Sequence, residues 1–434
     1  MPQTAPAAGF TSAAFDAFLA GRQEPIWTTE LRRQAWETFE KLDLPSRRDE
    51  EWMRTDIRLF RLDRFAMPGD LPPEAAAPPA LLTHGVELAG HSIALNSRPL
   101  GSELDDDLAR RGVLFGSLDA LVAEHGDLLR PHLFNVVDPS ADKFAALHAA
   151  CWAGGMVLYV PRGVRIEKPL HMLSALAGGG VDLGHALIVL EEGAEATVLA
   201  ETAGDEAANL HLGAIEVVVG KGAKLRYVNL QNWGAGTWHF AHQRGLVERD
   251  GSFQWTIGAL GSRLAKVNQH VALVGEGADV QVNGVMFTEG KQHLSYHTLQ
   301  HHQAAHCHSD LLYKGALQDH SQLVWRGMIK VDPDAQKTNA YQRDDNLMLS
   351  EHARADSIPG LEIEADDVIC THGATAGRVD DSQIFYARCR GLTRNEAVRM
   401  IVAGFFQQVF DRITIESVRD ALGDAIGRRI REYD

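Results

Sequence analysis

"EEGAEATVL" at residues 191–199 is followed by "GKGAKLRYV" at 220–228, "ERDGSFQWT" at 248–256 and "GEGADVQVN" at 275–283. Each quotation holds a glycine followed by a small residue and then a run of apolar and β-branched side chains. The glycines Gly193, Gly222, Gly251 and Gly277 are 29, 29 and 26 residues apart. Each unit therefore reads as strand, tight turn, strand, and a unit so short must stack on its neighbours to bury its apolar face. "DPDAQKTNA" around Ala335 and "EADDVICTH" around Ala365 continue the rhythm. The L-x-x-L-x-L pattern of leucine-rich repeats and the helices of ankyrin-like arrays are both missing. The expected core is a β-solenoid over residues 155–378.

Helical patterning flanks this core. Phe15, Phe18 and Leu19, then Leu31, Ala35, Trp36 and Phe39, recur at helical spacing, and Gly21 and Pro25 divide them into two helices. "MPGDLPPEAAAPPA" at 67–80 reads as a Pro-rich linker. Helical patterns resume over about 103–155, where Phe144, Leu147, His148 and Cys151 share one stripe. After Asp381, Thr393 stands three residues before Glu396 as a capping box, ahead of a broad face of Val398, Ile401, Val402, Phe405, Phe406, Val409 and Ile413. A further helix is expected through "TIESVRDALGDAIGRRI". The expected division is a mostly helical N-terminal region with its linker over 1–154, the core over 155–378 and a helical C-terminal unit over 379–434.

Composition excludes several functions. The chain has 434 residues, of which 45% are hydrophobic, and 58 acidic against 42 basic residues leave a formal charge of −16. That balance argues against binding a nucleic-acid backbone, which needs a positive footprint. "MPQTAPAAGF" lacks the pattern of a secretion signal and no apolar run is long enough to span a bilayer, so a cytoplasmic location without membrane contact is expected. Four widely spaced cysteines without a CxxC pair suggest free thiols. The chain carries no G-x-x-x-x-G-K-[ST], G-x-S-x-G or G-x-G-x-x-G motif, and its acidic pairs fall at expected turns and helix starts, so no enzymatic activity is expected.

Two tracts carry potential ligands. "HLSYHTLQHHQAAHCHSD" at 293–310 is dense in histidine. On a strand, His293, His297 and His301 share one face, and His302, His306 and His308 the other if the register runs unbroken. Only His306 and His308 are then close enough to act together, as candidates for incidental metal affinity. Stacked polar side chains on solenoid coils are the competing reading. In "LEIEADDVICTHGATAG" at 361–377, Cys370 and His372 point to the same side, placing a thiol and an imidazole within reach of one iron. A buried cysteine beside a hydrogen-bonded histidine fits the same spacing.

Taken together, "LPSRRDEEWMRTD" at 44–56, "YVPRGVRIEKPLH" at 159–171, "LYKGALQD" at 312–319, "AQKTNAYQRDDNLMLSEHARADSIPGLEIEADDVICTHGAT" at 335–375 and "IFYARCRGLTRNEAVRMIVAGFF" at 384–406 resemble the SufB/SufD family of the SUF iron–sulfur cluster assembly system. Gly373 and Ala353, where SufB-type members carry an acidic residue and an essential cysteine, make the resemblance one to the SufD side. Of the histidine run, only His297 and His302, with Thr298, look like family positions.

The resemblance implies a right-handed parallel β-helix that pairs with SufB, C-terminal helices that dock the ATPase SufC, and a non-catalytic scaffold role at the SufB–SufD interface. A pairing with a second copy of the chain in isolation is left open. The resemblance further implies that His372 serves iron uptake or cluster formation there; the spacing of the strand, not the resemblance, adds Cys370 as a weaker helper ligand. Met400, Phe405 and Phe406 are candidates for the SufC contact or for core. No cofactor is expected to stay bound to this chain alone; iron or a nascent cluster would pass through the complex. The alternatives are a metal-storing or sensing solenoid built on the histidine run and a polysaccharide-acting β-helix enzyme.

Overall fold

The computed structural model describes residues 9–71 and 74–430. Residues 72 and 73 of the expected linker, and the outermost residues of the two expected terminal regions, lie outside the described residues. The chain opens with α1 (Ser12–Ala20) and α2 (Ile26–Lys41), separated by Gly21 and Pro25 as the sequence suggests. The Thr11 side chain caps α1 by accepting from the Ala14 amide at 3.2 Å.

The expected helical stretch beginning near residue 103 is only partly helical. Strands β1 (Gly90–Leu95) and β2 (Arg98–Leu104) precede α3 (Asp106–Arg110), and β3 (Leu114–Ser117) precedes α4 (Leu118–Leu129) and α5 (Lys143–Cys151). These strands close the first coil of the solenoid. β1 pairs antiparallel with β2, and β3 pairs antiparallel with the next strand, β4 (Gly155–Val160). They were illegible because a four-residue strand such as β3 is too short to show a period.

The solenoid continues through β5 (Leu170–Leu176), β6 (Val181–Asp182), β7 (His185–Leu190), β8 (Glu195–Gly204) and β9 (Leu210–Val219). Then come β10 (Lys224–Gln231), β11 (Trp238–Val247), β12 (Ser252–Ala259), β13 (Leu264–Leu273), β14 (Asp279–Thr288) and β15 (His293–His302). The last coils are β16 (His308–Leu317), β17 (Gln322–Val331), β18 (Asn339–Met348), β19 (Arg354–Ile363) and β20 (Ile369–Arg378). Successive strands alternate between two sheets. The first sheet runs β2-β1-β5-β8-β10-β12-β14-β16-β18-β20, and the second runs β19-β17-β15-β13-β11-β9-β7-β4-β3 with β6 paired to β9. From β4 onward every pairing between successive coils is parallel.

The recurring glycines mark one corner of each coil, where the chain crosses from the second sheet into the first. Gly193, Gly222 and Gly277 have φ of 68°, 64° and 74°, a region L side chains enter at a cost. The lumen between the sheets is filled by Tyr227, Trp255, Tyr296, Tyr313 and Trp325 together with Val, Leu and Ile side chains. The outer face of the second sheet is covered by α2, α5 and the segment carrying Trp52, Phe60 and Phe65, which meet Leu212, Trp238 and Phe240. The outer face of the first sheet is covered by α6 (Asp381–Cys389), α7 (Arg394–Phe410) and α8 (Glu416–Arg429), through Val402, Phe406, Val409 and Leu422 on Val228, Val285 and Leu312. The capping box at Thr393 and Glu396 is formed in both directions. Among the described residues, no helix is long and apolar enough to cross a membrane.

Candidate functional site

The two ends of the solenoid differ. At the start, antiparallel partners cover the edges of both sheets; at the finish, β19 and β20 are each the outermost strand of a sheet. Both are ten residues long. Along β20 almost every position is exposed, because no further coil lies above it. Leu361, Ile363 and Ile369 are exposed large apolar side chains on this terminal coil.

Cys370 and His372 sit on β20, in register with Ala340 and Gln342 of β18. Ala340 and Gln342 are buried, so the two ligand candidates stand on the lumenal side, at the mouth of the solenoid. Their shared face agrees with the strand parity of the sequence. His372 is exposed, whereas Cys370 is half-buried against Ile329, Val331 and Ala365. Burial pushes the Cys370 thiol up, so it stays protonated unless a metal displaces the proton. Two residues beyond Gln342 on the same lumenal face of β18, in register with Ala374, lies Asp344, whose carboxylate accepts from Asn346 Nδ2 at 2.6 Å and from Ser357 Oγ at 2.5 Å. Its burial pushes the carboxyl up to about 7. Beside it, Asp345 accepts from Arg343 Nε at 3.0 Å and from Thr375 Oγ1 of β20 at 2.6 Å.

The histidine run is distributed rather than gathered. β15 ends at His302, and the chain turns through 303–307 before β16 begins at His308, so the unbroken register that placed His302, His306 and His308 on one face does not exist. His306 lies in that turn with φ 59°, not on a strand beside His308. A hydrogen bond, mostly to a neighbouring coil, occupies one ring nitrogen of each of five of these histidines: His293 with Gln322 at 3.0 Å, His297 with Lys266 at 2.6 Å, His301 with Asp332 at 2.8 Å, His302 with Ser309 at 2.8 Å and His308 with Asp279 at 2.8 Å. Among the described residues, no group of three or more His, Cys, Asp or Glu is arranged to hold a metal ion.

The expected docking residues also separate. Phe406 is fully buried in the seam between helices and sheet, and Phe405 is half-buried with Lys314 Nζ 4.6 Å above its ring. Met400 is 54% exposed. Sequence reasoning missed Phe385 and Tyr386 of α6, exposed to 69% and 62%. The signal was the "IFY" run, whose adjacent apolar residues cannot all face inward from one helix.

The family described as "SUF system FeS cluster assembly, SufBD core domain" matches residues 173–405, which include His372, Cys370 and Met400. The chain belongs to the SufBD family of iron–sulfur cluster assembly proteins. The "SufBD protein N-terminal region" matches residues 87–172, the segment that closes the first coils. The SufD assembly protein of Bacillus subtilis is 29% identical over 426 residues, covering 96% of this chain and 97% of that one. SufB of the same organism is also 29% identical, but over 332 residues, covering 76% and 71%. A SufBD family protein of Staphylococcus epidermidis is 28% identical with the same coverage. The likeness to SufD thus runs through both helical ends.

Proposed function

We propose that the chain is a non-enzymatic, SufD-like scaffold subunit that pairs through its open solenoid end with a SufB-like partner. It docks a SufC-like ATPase on its C-terminal helices and presents His372 to iron or a nascent cluster in the seam. The observation that carries this reading is the terminal coil: two ten-residue strands whose outer hydrogen-bonding edges have no partner strand among the described residues. Such edges are templates for another chain's strands. Iron is the substrate here, and a neutral imidazole is a suitable donor for it. His372 stands where a partner stacked on β20 would meet it, with Cys370 two residues away on the same face. On the helices, Met400 with Phe385 and Tyr386 offers exposed apolar surface, while Phe406 supports it from beneath.

The test is reconstitution with SufB-like and SufC-like partners, comparing wild type with His372→Ala and Cys370→Ser. The expected result is a complex that still assembles with His372→Ala but loses most of its cluster yield. Unchanged iron content and yield would remove His372 from the mechanism. The same result for Cys370→Ser would confine the site to the imidazole. Deleting residues 392–434 is a poor probe of ATPase docking, because it strips the cover from Val228, Val285 and Leu312. Met400→Glu is the cleaner one.

A further inference from the structure

A column of polar side chains runs through the lumen among its apolar filling. On the second sheet, Gln243 is in register with Gln269, Gln269 with Thr298, and Thr298 with Gly327. Gly327 has no side chain to continue the column, and its place is shared by the Trp325 ring and the amide of Gln342: a Cβ on Gly327 would collide first with the indole and then with Gln342 Oε1. Gln342 in turn lies in register directly beneath His372. At the other end Gln243 borders a lumenal cavity of about 90 Å3, also lined by His211, His239, Asn229 and Gln231. There His211 and His239 meet Nδ1 to Nδ1 at 2.6 Å, and His211 Nε2 lies 3.5 Å from Asp182 Oδ2.

Every member of this column keeps a polar atom without a hydrogen-bond partner among the described residues: His239 Nε2, Gln243 Oε1, Gln269 Nε2, Thr298 Oγ1 and Gln342 Oε1. All are at least nine-tenths buried. Turning an amide over does not remove the problem. Tyr313 donates to Gln269 Oε1, and Gln342 Nε2 already donates to Gly360 O at 2.9 Å, so one end of each amide is always left over. Unpaired buried polar groups are costly and are normally satisfied. Side chains in register on successive coils can hydrogen-bond directly, as His211 and His239 do, but no such bond joins Gln243, Gln269, Thr298 and Gln342 among the described residues, which leaves their unpaired atoms open to bridging by a water molecule.

We propose that this column is a hydrated file that conducts protons between the buried His211–His239 pair and the mouth of the solenoid beneath His372. Water bound to Gln243, Gln269, Thr298 and Gln342 accepts a proton on one side and releases one on the other. The two imidazoles, each with one donor and one acceptor nitrogen when neutral, pass it on by exchanging tautomers. The use of such a route in the seam rests on the function proposed above; the file itself does not.

The experiment uses the full chain alone, without iron or partners, so its failure is independent of the assembly reading. Thr298→Val keeps the shape and removes the hydroxyl. If the hydroxyl holds water, the variant loses thermal stability; a dry hydroxyl is an unmet buried group, and its removal raises Tm and overturns the proposal. Exchange of the His239 ring proton with solvent, followed by NMR on 15N-histidine-labelled protein, reads continuity. Gln342→Leu is expected to slow that exchange at least about tenfold, and an unchanged rate overturns conduction through the mouth. A high-resolution crystal structure is expected to show ordered water on all four polar side chains, and a column free of water would likewise refute the file.

Discussion

Asp344 and Asp345 are adjacent acids in "NAYQRDDNLM" on β18, and on a strand exposed on both faces both would be solvated. Strand alternation separates them: Asp345 reaches Arg343, Lys314 and Thr375, whereas Asp344 turns into the lumen beside Ser357 and Asn346. Strand parity was legible, but the side that became lumen depends on the stacking of whole coils. The same holds for Cys370 and His372, whose common face followed from spacing while its position at an open mouth did not. Because burial raises Asp344 from 3.8 to about 7, the folded chain holds its proton between those values and the unfolded chain does not. Stability from this group is therefore lost as pH rises through that window, on the order of a few kcal/mol in total. Asp344→Asn keeps two acceptor contacts and removes the titration. Its Tm is expected to exceed that of wild type near pH 8, with the difference shrinking toward pH 5. Asp182, pushed up to about 6 by burial, contributes a slope of the same sign that remains in the variant. Thermal melts across that range check this, and a constant difference would contradict the buried ionisation.

At the scale of elements, the long periodic segments were legible and the short or interrupted ones were not. The helix predicted from the capping box at Thr393 is α7, and the glycine rhythm found the corners of the coils, because both patterns extend over many residues. The histidine run failed at its turn: "QAAHC" lacks a glycine, and the left-handed corner is taken by His306 instead. On α7 the pattern could not tell which apolar residues face the sheet and which face outward. Two substitutions separate these roles. Phe406→Ala removes a fully buried ring and is expected to cost about 3–5 kcal/mol. Met400→Glu alters an exposed position and is expected to change stability by no more than about 0.5 kcal/mol. Urea unfolding measures both. If the exposed face docks the ATPase, Met400→Glu loses co-purification while keeping its fold, and Phe385→Glu does the same from α6.

The whole molecule is a rod whose two outer faces are covered by its own terminal regions and whose two ends are treated unequally. The N-terminal helices shield one sheet and the C-terminal helices the other, so little sheet surface remains for a partner except at the end beyond β19 and β20. Edge protection there is partial: Pro359 removes one amide donor from β19, and Arg354, Asp356 and Glu362 place charge along it. β20 has no proline, and only Arg378 at its last position is charged. The asymmetry assigns the stronger template to β20, the strand that carries His372. Ala374→Pro would remove an outward-facing backbone donor from that strand: the amides of Ile369 and Val379 bond β18, so those of the even-numbered residues between them point away from it. The Ala374 side chain is exposed, and its replacement leaves the lumen below intact. The expected outcome is a folded protein with a nearly unchanged circular dichroism spectrum that no longer binds a SufB-like partner. Any self-association of the chain through the same edge should be lost with it. Light scattering on the lone chain and on the mixture distinguishes the cases. Retained pairing with both Ala374→Pro and Ile369→Lys would move the interface away from the open end, and His372 would lose its reason to be at a seam.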